Sequence, residues 1–350
     1  MDWNNIFDKY AMPTDYALKG YKYQGLIDIV IPVYNDRQGL QRTLFSLNTF
    51  NRYHIIIIDD ASTIDYKDII DSFKPFHNIT FIRSGQNGGP AVAKNLGLSY
   101  VENKYVLFMD AGDTFTAANA IVQYEEIFET HPEVRVISAA HYEECADSHL
   151  RYIPPQHNRW IGKAYHVQTM KNYGLKFNEK CSFSNDDIGM NMLARLMLHK
   201  EEIYEWDLPT IIWHIDLNSV TRKDNFAGSY RDTTLGTSSS AVYAIERARE
   251  MFCSEERIAE LVYSVMCGLY HEYLSVLNCR PEFEEDALKG AKLFYDKGLM
   301  TCNIDYIALI DFYNITMLAR LQNDTCETSL IKIPKVSFTD FLQKLDNMEV

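Results

Sequence analysis

The sequence predicts an α/β fold, a mostly parallel sheet flanked by helices and followed by an all-helical region. Three observations predict it. Apolar runs of strand length alternate with segments of helical periodicity up to about residue 115, the signature of an open α/β sheet. The run Ile55-Ile56-Ile57-Ile58 is continuously apolar, as an interior strand covered on both faces requires. Beyond about residue 234 helical patterns follow one another with no convincing strand.

Taken in order, LIDIVIPVY from Leu26 reads as a strand, NDRQG as a turn, and GLQRTLFSLNTF as a helix, because Leu40, Leu44, Phe45 and Leu47 recur at helical spacing. HIIIIDD is the second strand, YKDIIDSF a short helix and NITFIRS the third strand. GPAVAKNLGLSYV predicts a helix after a glycine turn, and KYVLFMD another apolar strand. The helix AANAIVQYEEIFETH leads to the strand VRVISAAHY, and Glu143 to Trp160, broken by Pro154-Pro155, suits an irregular or edge-hairpin excursion. GKAYHVQTMKNYGLKF carries a short helix, SNDDIGMNMLARLMLHK a longer one with Asp at its start, and EIYEWDLPTIIWHI one or two strands. The polar stretch SVTRKDNFAGSYRDT marks a boundary, four long helical patterns fill residues 234 to 323, and KVSFTDFLQKLDNME adds a last small helix. The predicted organisation is a polar extension over 1–25, an α/β domain over 26–220, a linker or active-site loop over 221–232 and a helical domain over 233–350.

Composition narrows the function. A chain of 350 residues, 47% apolar, has enough material for a substantial core. Its net charge of -14 argues against a broad cationic surface and so against nucleic-acid binding as the default role. Seven cysteines without a CxxC pair argue against zinc ribbons and fit a reducing compartment. MDWNNIFDKYAMPTDY lacks the basic start and apolar stretch of an export signal, and no segment approaches about 18 consecutive apolar residues. The expectation is a cytoplasmic protein with no transmembrane segment.

Both acidic pairs, Asp59-Asp60 and Asp110/Asp113, fall at strand ends, where open α/β sheets bind ligands. Two acids at such a position can hold a metal, cap a helix or face water. The succession IVIPVYND, IIIIDDAST, QNGGPAVAKNLGL, YVLFMDAGDTF and NDDIGM resembles the inverting, sugar-nucleotide-dependent glycosyltransferases of the GT-A fold, family 2, over roughly residues 27 to 220. The helical C-terminal third has no such support.

The resemblance assigns roles. It implies that Pro32, Val33 and Tyr34 help form the floor of the nucleotide pocket, and that Asp60 and Asp110 with Ala111 hold the nucleoside of a UDP-sugar donor. Carboxylates suit that task because they offer only acceptors. Asn87, Gly89, Ala93 and Asn95 would lie by the donor pocket, with Arg83, Lys94, Arg222 or Lys223 facing phosphate. QNGGP is neither a GxGxxG nor a Walker sequence. Many relatives read D-x-D-D where this chain reads Asp110-Ala111-Gly112-Asp113, so a Mg²⁺ or Mn²⁺ ion must rest on Asp113, on Asp110, on an outside ligand such as His214, or on water bridges. SNDDIG resembles the acidic pair before a helix, with Asp187 as general base and Asp186 orienting the acceptor, or merely capping the helix. Trp160, Gly162, Lys163 and Tyr165 resemble the stretch that lines the acceptor pocket.

Three further readings stand beside this one. A non-catalytic nucleotide-sugar-binding or scaffold protein would explain Gly112. A nucleotidylyltransferase would need a glycine-rich basic loop that IPVYNDRQG lacks. The acceptor could be a glycan, another hydroxyl compound or modified DNA: the Tyr- and Asn-rich composition is similar to that of large-bacteriophage proteins, some of which glycosylate hydroxymethylcytosine. A DNA acceptor would need a positive groove, to which RYIPPQHNRW and Thr221-Arg222-Lys223 could contribute.

Overall fold

A computed structural model describes residues 25–47, 52–145, 147–180, 186–215, 226–302, 304–323 and 336–348. Its centre is one sheet of nine strands: β1 (Ile27–Val33), β2 (His54–Asp59), β3 (Asn78–Arg83), β4 (Tyr105–Phe108), β5 (Thr114–Phe115), β6 (Val136–Glu144), β7 (Leu150–Ile153), β8 (Lys163–His166) and β9 (Ile203–Trp213), in the order β3-β2-β1-β4-β8-β6-β9-β5 with β7 on β6. The first half, β3-β2-β1-β4, is parallel as predicted. The second half is not: β8 runs antiparallel to both β4 and β6, β7 and β5 pair antiparallel, and only β6 with β9 is parallel. The sheet is therefore mixed.

Continuous apolar patterning explains the parallel half. All of β1 and β2 is buried, including every one of the four consecutive isoleucines of β2. Helices α1 (Arg37–Ser46), α2 (Lys67–Phe73) and α3 (Pro90–Leu98) connect these strands. Asp36 starts α1 by accepting the Gly39 N–H at 2.7 Å. α3 lies close on the sheet because Gly97 has no side chain. A Cβ there would stand 2.3 Å from Val30 Cγ1.

Since β1 sits between β2 and β4, the strand order reverses at β1, and a crevice opens beyond the C-terminal ends of β1 and β4. Helices α4 (Ala120–Thr130), α5 (Val167–Tyr173) and α6 (Ile188–Met197) belong to the second half of this α/β region. After β9 the described residues are helical: α7 (Phe226–Glu250), α8 (Glu255–Cys279), α9 (Glu284–Lys297), α10 (Tyr306–Asn323) and α11 (Phe338–Asp346). α7 packs against the first turn of α6, so tightly that a Cβ on Gly189 would lie 3.0 Å from the Ser240 carbonyl. The helical region thus braces the element that begins at the acidic pair. No helix among the described residues is long and apolar enough to cross a membrane.

Candidate active site

The crevice is rimmed by strand ends. Tyr34 follows β1 and is 50% exposed, while Pro32 and Val33 are buried beneath it. Next to them the backbone takes left-handed conformations at two non-glycine residues, Asn35 (φ 52°) and Ala61 (φ 57°), a sparsely populated geometry that clusters at functional sites. Asn35 is held there: its side-chain oxygen accepts the Thr63 N–H at 2.8 Å, and its own N–H donates to the Ser62 hydroxyl at 2.8 Å. Asp60 is buried, and its two carboxylate oxygens accept the Gly88 and Gly89 N–H groups at 2.9 and 2.7 Å. It therefore shapes the glycine turn before α3. Asp110, just past β4, is the open carboxylate of the rim, its side chain 45% exposed.

Across the crevice lies the acidic pair. Asp187 is the N-cap residue of α6, yet its side chain accepts no helix N–H. Instead Oδ2 accepts the Trp160 N–H at 2.9 Å. Burial, followed by the like charge of Asp186, pushes the Asp187 carboxyl above the usual range. Asp186 faces Lys94 Nζ at 3.5 Å, and the same ammonium lies 3.8 Å from Asp110 Oδ1. Neither carboxylate is thereby shown as a helix cap, and a buried cation stands between the two sides of the crevice.

Carboxylates stand on both sides of Lys94, Asp110 past the C-terminal end of β4 and Asp186 before α6. Residues 28–200 match Glycosyl transferase family 2. This stretch is similar to that family's domain. The chain is similar to the glycosyltransferase GlyG of Streptococcus pneumoniae, 27% identical over 134 residues, 37% of this chain and 44% of GlyG. It is also similar to the poly(ribitol-phosphate) beta-glucosyltransferase of Bacillus spizizenii, 34% identical over 104 residues, 28% of this chain and 16% of that protein. S. aureus TarS 1-349 in complex with UDP-GlcNAc superimposes with a TM-score of 0.49 at 15% identity, covering 77% of this chain and 90% of that one. The matched part is less than half the length of either curated relative.

Within the matched region several residues sit otherwise than the sequence predicts. Arg83 does not point into the crevice: it pairs with Asp59 at 3.1 Å and donates to the carbonyls of Ser62 and Ile64, tying β3 to the loop after β2. Asn87 is exposed, and Gly89 (φ 84°) is the turn residue that Asp60 holds. Asn95 clasps the segment before the acidic pair, exchanging two 3.0 Å hydrogen bonds with the Phe177 backbone. The predicted acceptor wall, Trp160, Gly162, Lys163 and Tyr165, is buried. Trp160 is 6% exposed with Lys94 Nζ 4.5 Å over its ring, which leaves that face unavailable to a sugar. Gly162 (φ 71°) is required by backbone crowding, since a Cβ would meet the Ala139 carbonyl at 2.8 Å. These four residues form the platform behind Asp187 rather than a surface in front of it. Thr221, Arg222 and Lys223 lie outside the described residues.

Asn191, which sequence reasoning passed over, is the hub of that platform. Its side-chain oxygen accepts from Lys163 Nζ at 3.0 Å and Tyr165 Oη at 2.9 Å, and its side-chain nitrogen donates to the Asp187 carbonyl at 3.0 Å. Burial brings the Lys163 pKa down to about 7. The signal available in the sequence was the spacing Asp187 to Asn191, one helical turn.

On the metal side, Gly112 adopts φ 106° and contributes no side-chain oxygen. Asp113 is buried, and its Oδ1 accepts the His214 N–H at 3.3 Å. Burial first, and then Asp110, pushes its carboxyl well above the usual range. His214 Nδ1 lies 3.0 Å from Glu144 Oε2 and Nε2 lies 2.9 Å from Thr114 Oγ1. A carboxylate can only accept, so the His214 Nδ1 proton points to Glu144, and Nε2 in turn accepts the Thr114 hydroxyl. Glu144 is a second residue missed in the sequence. Among the described residues no group of three or more His, Cys, Asp or Glu is gathered to hold a metal. The crowding of Asp110 and Asp113 fits an ion held by few protein oxygens, as Mg²⁺ usually is beside phosphates.

Proposed function

We propose that this protein is an inverting glycosyltransferase that moves a sugar from a nucleoside diphosphate donor, a UDP-sugar, to a hydroxyl acceptor. The observation that carries this reading is the buried base candidate Asp187 set across the crevice from the open carboxylate Asp110. Tyr34, Asp110 and Ala111 flank the nucleoside at the strand ends, and Asp60 keeps the adjoining glycine turn in shape. The acceptor hydroxyl attacks the anomeric carbon from the Asp187 side. A new carbon–oxygen bond forms, the bond from that carbon to the diphosphate oxygen breaks, and Asp187 takes the hydroxyl proton. A raised pKa makes it a better base at neutral pH than an ordinary aspartate.

A Mg²⁺ or Mn²⁺ ion held by Asp113, with Asp110 and His214 as further ligands, would supply the charge that neutralises the departing diphosphate. The excess of negative charge at Asp110, Asp113 and Glu144 supports it. Chelation that leaves turnover unchanged would sink the metal part alone.

A glycan or polyol acceptor is favoured over DNA. Of the groups that could have lined a DNA groove, Arg151 is already paired with Glu143, and burial lowers the pKa of His157, which favours its neutral form. The Bacillus spizizenii relative, a poly(ribitol-phosphate) beta-glucosyltransferase, supports the same choice. The experiment is titration with UDP, GDP, ADP and CMP, followed by NMR of the anomeric proton of the product from UDP-sugars. Preference for another nucleotide overturns the donor, and retention of anomeric configuration overturns the mechanism. Binding without turnover on glycan or hydroxymethylated DNA leaves the scaffold reading.

A further inference from the structure

Lys94 stands between Asp110 and Asp186, and it is placed where a phosphate ligand would not be. It is 2% exposed. Carboxylates of Asp186 and Asp110 stand 3.5 and 3.8 Å from its ammonium, and the rings of Trp160 and Phe177 cover it at 4.5 and 5.0 Å. Carboxylate pairing and cation–π contact are the two environments that make a buried ammonium tolerable. They also leave it little free surface for a diphosphate.

The supports of this cage belong to the same short helix. Gly97 seats α3 on β1, and Asn95 clasps Phe177. Trp160 closes the circuit, because its ring faces Lys94 while its N–H donates to Asp187. Two routes thus run from the ammonium to the base, one through Asp186 and one through Trp160. On the other side, Asp110 links it to the donor.

We propose that Lys94 is a positioning residue: its ammonium joins donor-side Asp110 to acceptor-side Asp186, and through Asp186 and Trp160 it holds Asp187 in place for proton removal. This rests on the glycosyltransferase reading of the same site. It departs from the sequence-based assignment of Lys94 to the donor phosphates.

The test is a double-mutant cycle with K94M, D186N and K94M/D186N, together with K94C alkylated by 2-bromoethylamine to restore an ammonium at nearly the same reach. K94M should lower kcat about 30-fold to 100-fold while UDP affinity changes by less than about threefold, and the alkylated protein should recover at least tenfold of the loss. The double variant should fall within about threefold of D186N, because Lys94 has little left to position. A tenfold loss of UDP affinity with kcat kept at saturating donor would overturn the proposal in favour of a phosphate ligand. Additive losses would overturn it, as would failure of both K94M and the alkylated protein to fold. Thermal unfolding of the same proteins separates the two claims: no coupling there defeats the Lys94 link, whereas an inactive wild type with coupling intact defeats only the enzyme reading.

Discussion

Asp187 Oδ2 accepts the Trp160 backbone N–H at 2.9 Å, although Asp187 occupies the N-cap position of α6, where an aspartate side chain ordinarily turns to the helix. The carboxylate is thus fixed by a strand-side loop and turned away from capping. D187N keeps the acceptor for that N–H and removes the proton sink. Turnover should fall about 10²-fold to 10⁴-fold with UDP binding and unfolding midpoint nearly unchanged. In the wild type the acid limb of kcat should lie above pH 4, since burial and Asp186 raise the Asp187 pKa and the base acts only when ionised. A D187N enzyme with near-normal turnover, or an acid limb at or below pH 4, removes Asp187 from the role.

The parallel half of the sheet and the placement of Asp60 and Asp110 were legible because apolar runs of strand length stop at acids, and such runs need no tertiary information to be read. The inward turn of Trp160, Gly162, Lys163 and Tyr165 was not. It depends on β8 inserting antiparallel between β4, whose partners lie 57 to 61 residues away, and β6, whose partners lie 25 to 29 away, and four residues of mixed polarity do not announce such pairings. The Lys94 cage was equally hidden: Asp186 lies 92 positions away, and local pattern cannot tell a caged lysine from a phosphate-facing one. Glu144 escaped notice because its partner, His214, is 70 residues distant.

Asn191 should be a stability residue with a catalytic consequence. N191L keeps approximate size but leaves the Lys163 ammonium and the Tyr165 hydroxyl without a shared acceptor in a buried site. The cost should be about 2–4 kcal/mol in urea unfolding. Loss of the bond to the Asp187 carbonyl should also lower turnover, by less than D187N does. Wild-type stability in N191L would show that the platform is not held through this side chain.

Gly112 cannot simply be replaced by an acid. A Cβ would meet the Asp36 Oδ2 at 3.5 Å and the Gly39 Cα at 3.9 Å, so space is available, but φ 106° disfavours any L side chain. G112D and G112A should both lose about 1–3 kcal/mol of stability, and G112D should gain no turnover with Mn²⁺. Should G112D prove as stable as wild type and more active, the metal site was built for an acid at this position.

Two buried histidines give a pH dependence whose sign can be worked out. Burial lowers the pKa of both His77 and His141 to about 4, and among the described residues His141 Nδ1 has no hydrogen-bond partner. An unfolded histidine titrates near 6.5, so between about pH 4 and 6.5 the unfolded chain binds more protons at these sites than the folded one. Their contribution is therefore absent as a penalty above pH 6.5 and grows as pH falls through that window, by up to about 1.4 kcal/mol per pH unit for each site. Other groups pull the opposite way: burial raises Glu272 to about 7 and lifts Asp113, so the folded state gains protons there on acidification. Net stability against pH alone would mix the two, and the informative quantity is a difference. H77F keeps a ring against Phe73, where His77 now stacks, and H141Q keeps a polar group. Relative to wild type, each should gain stability progressively from pH 6.5 to 4 in urea unfolding, whereas E272Q should lose relative stability between about pH 7 and 4.5. A difference for H77F and H141Q that stays flat across the window would mean that these histidines take up protons without penalty in the fold.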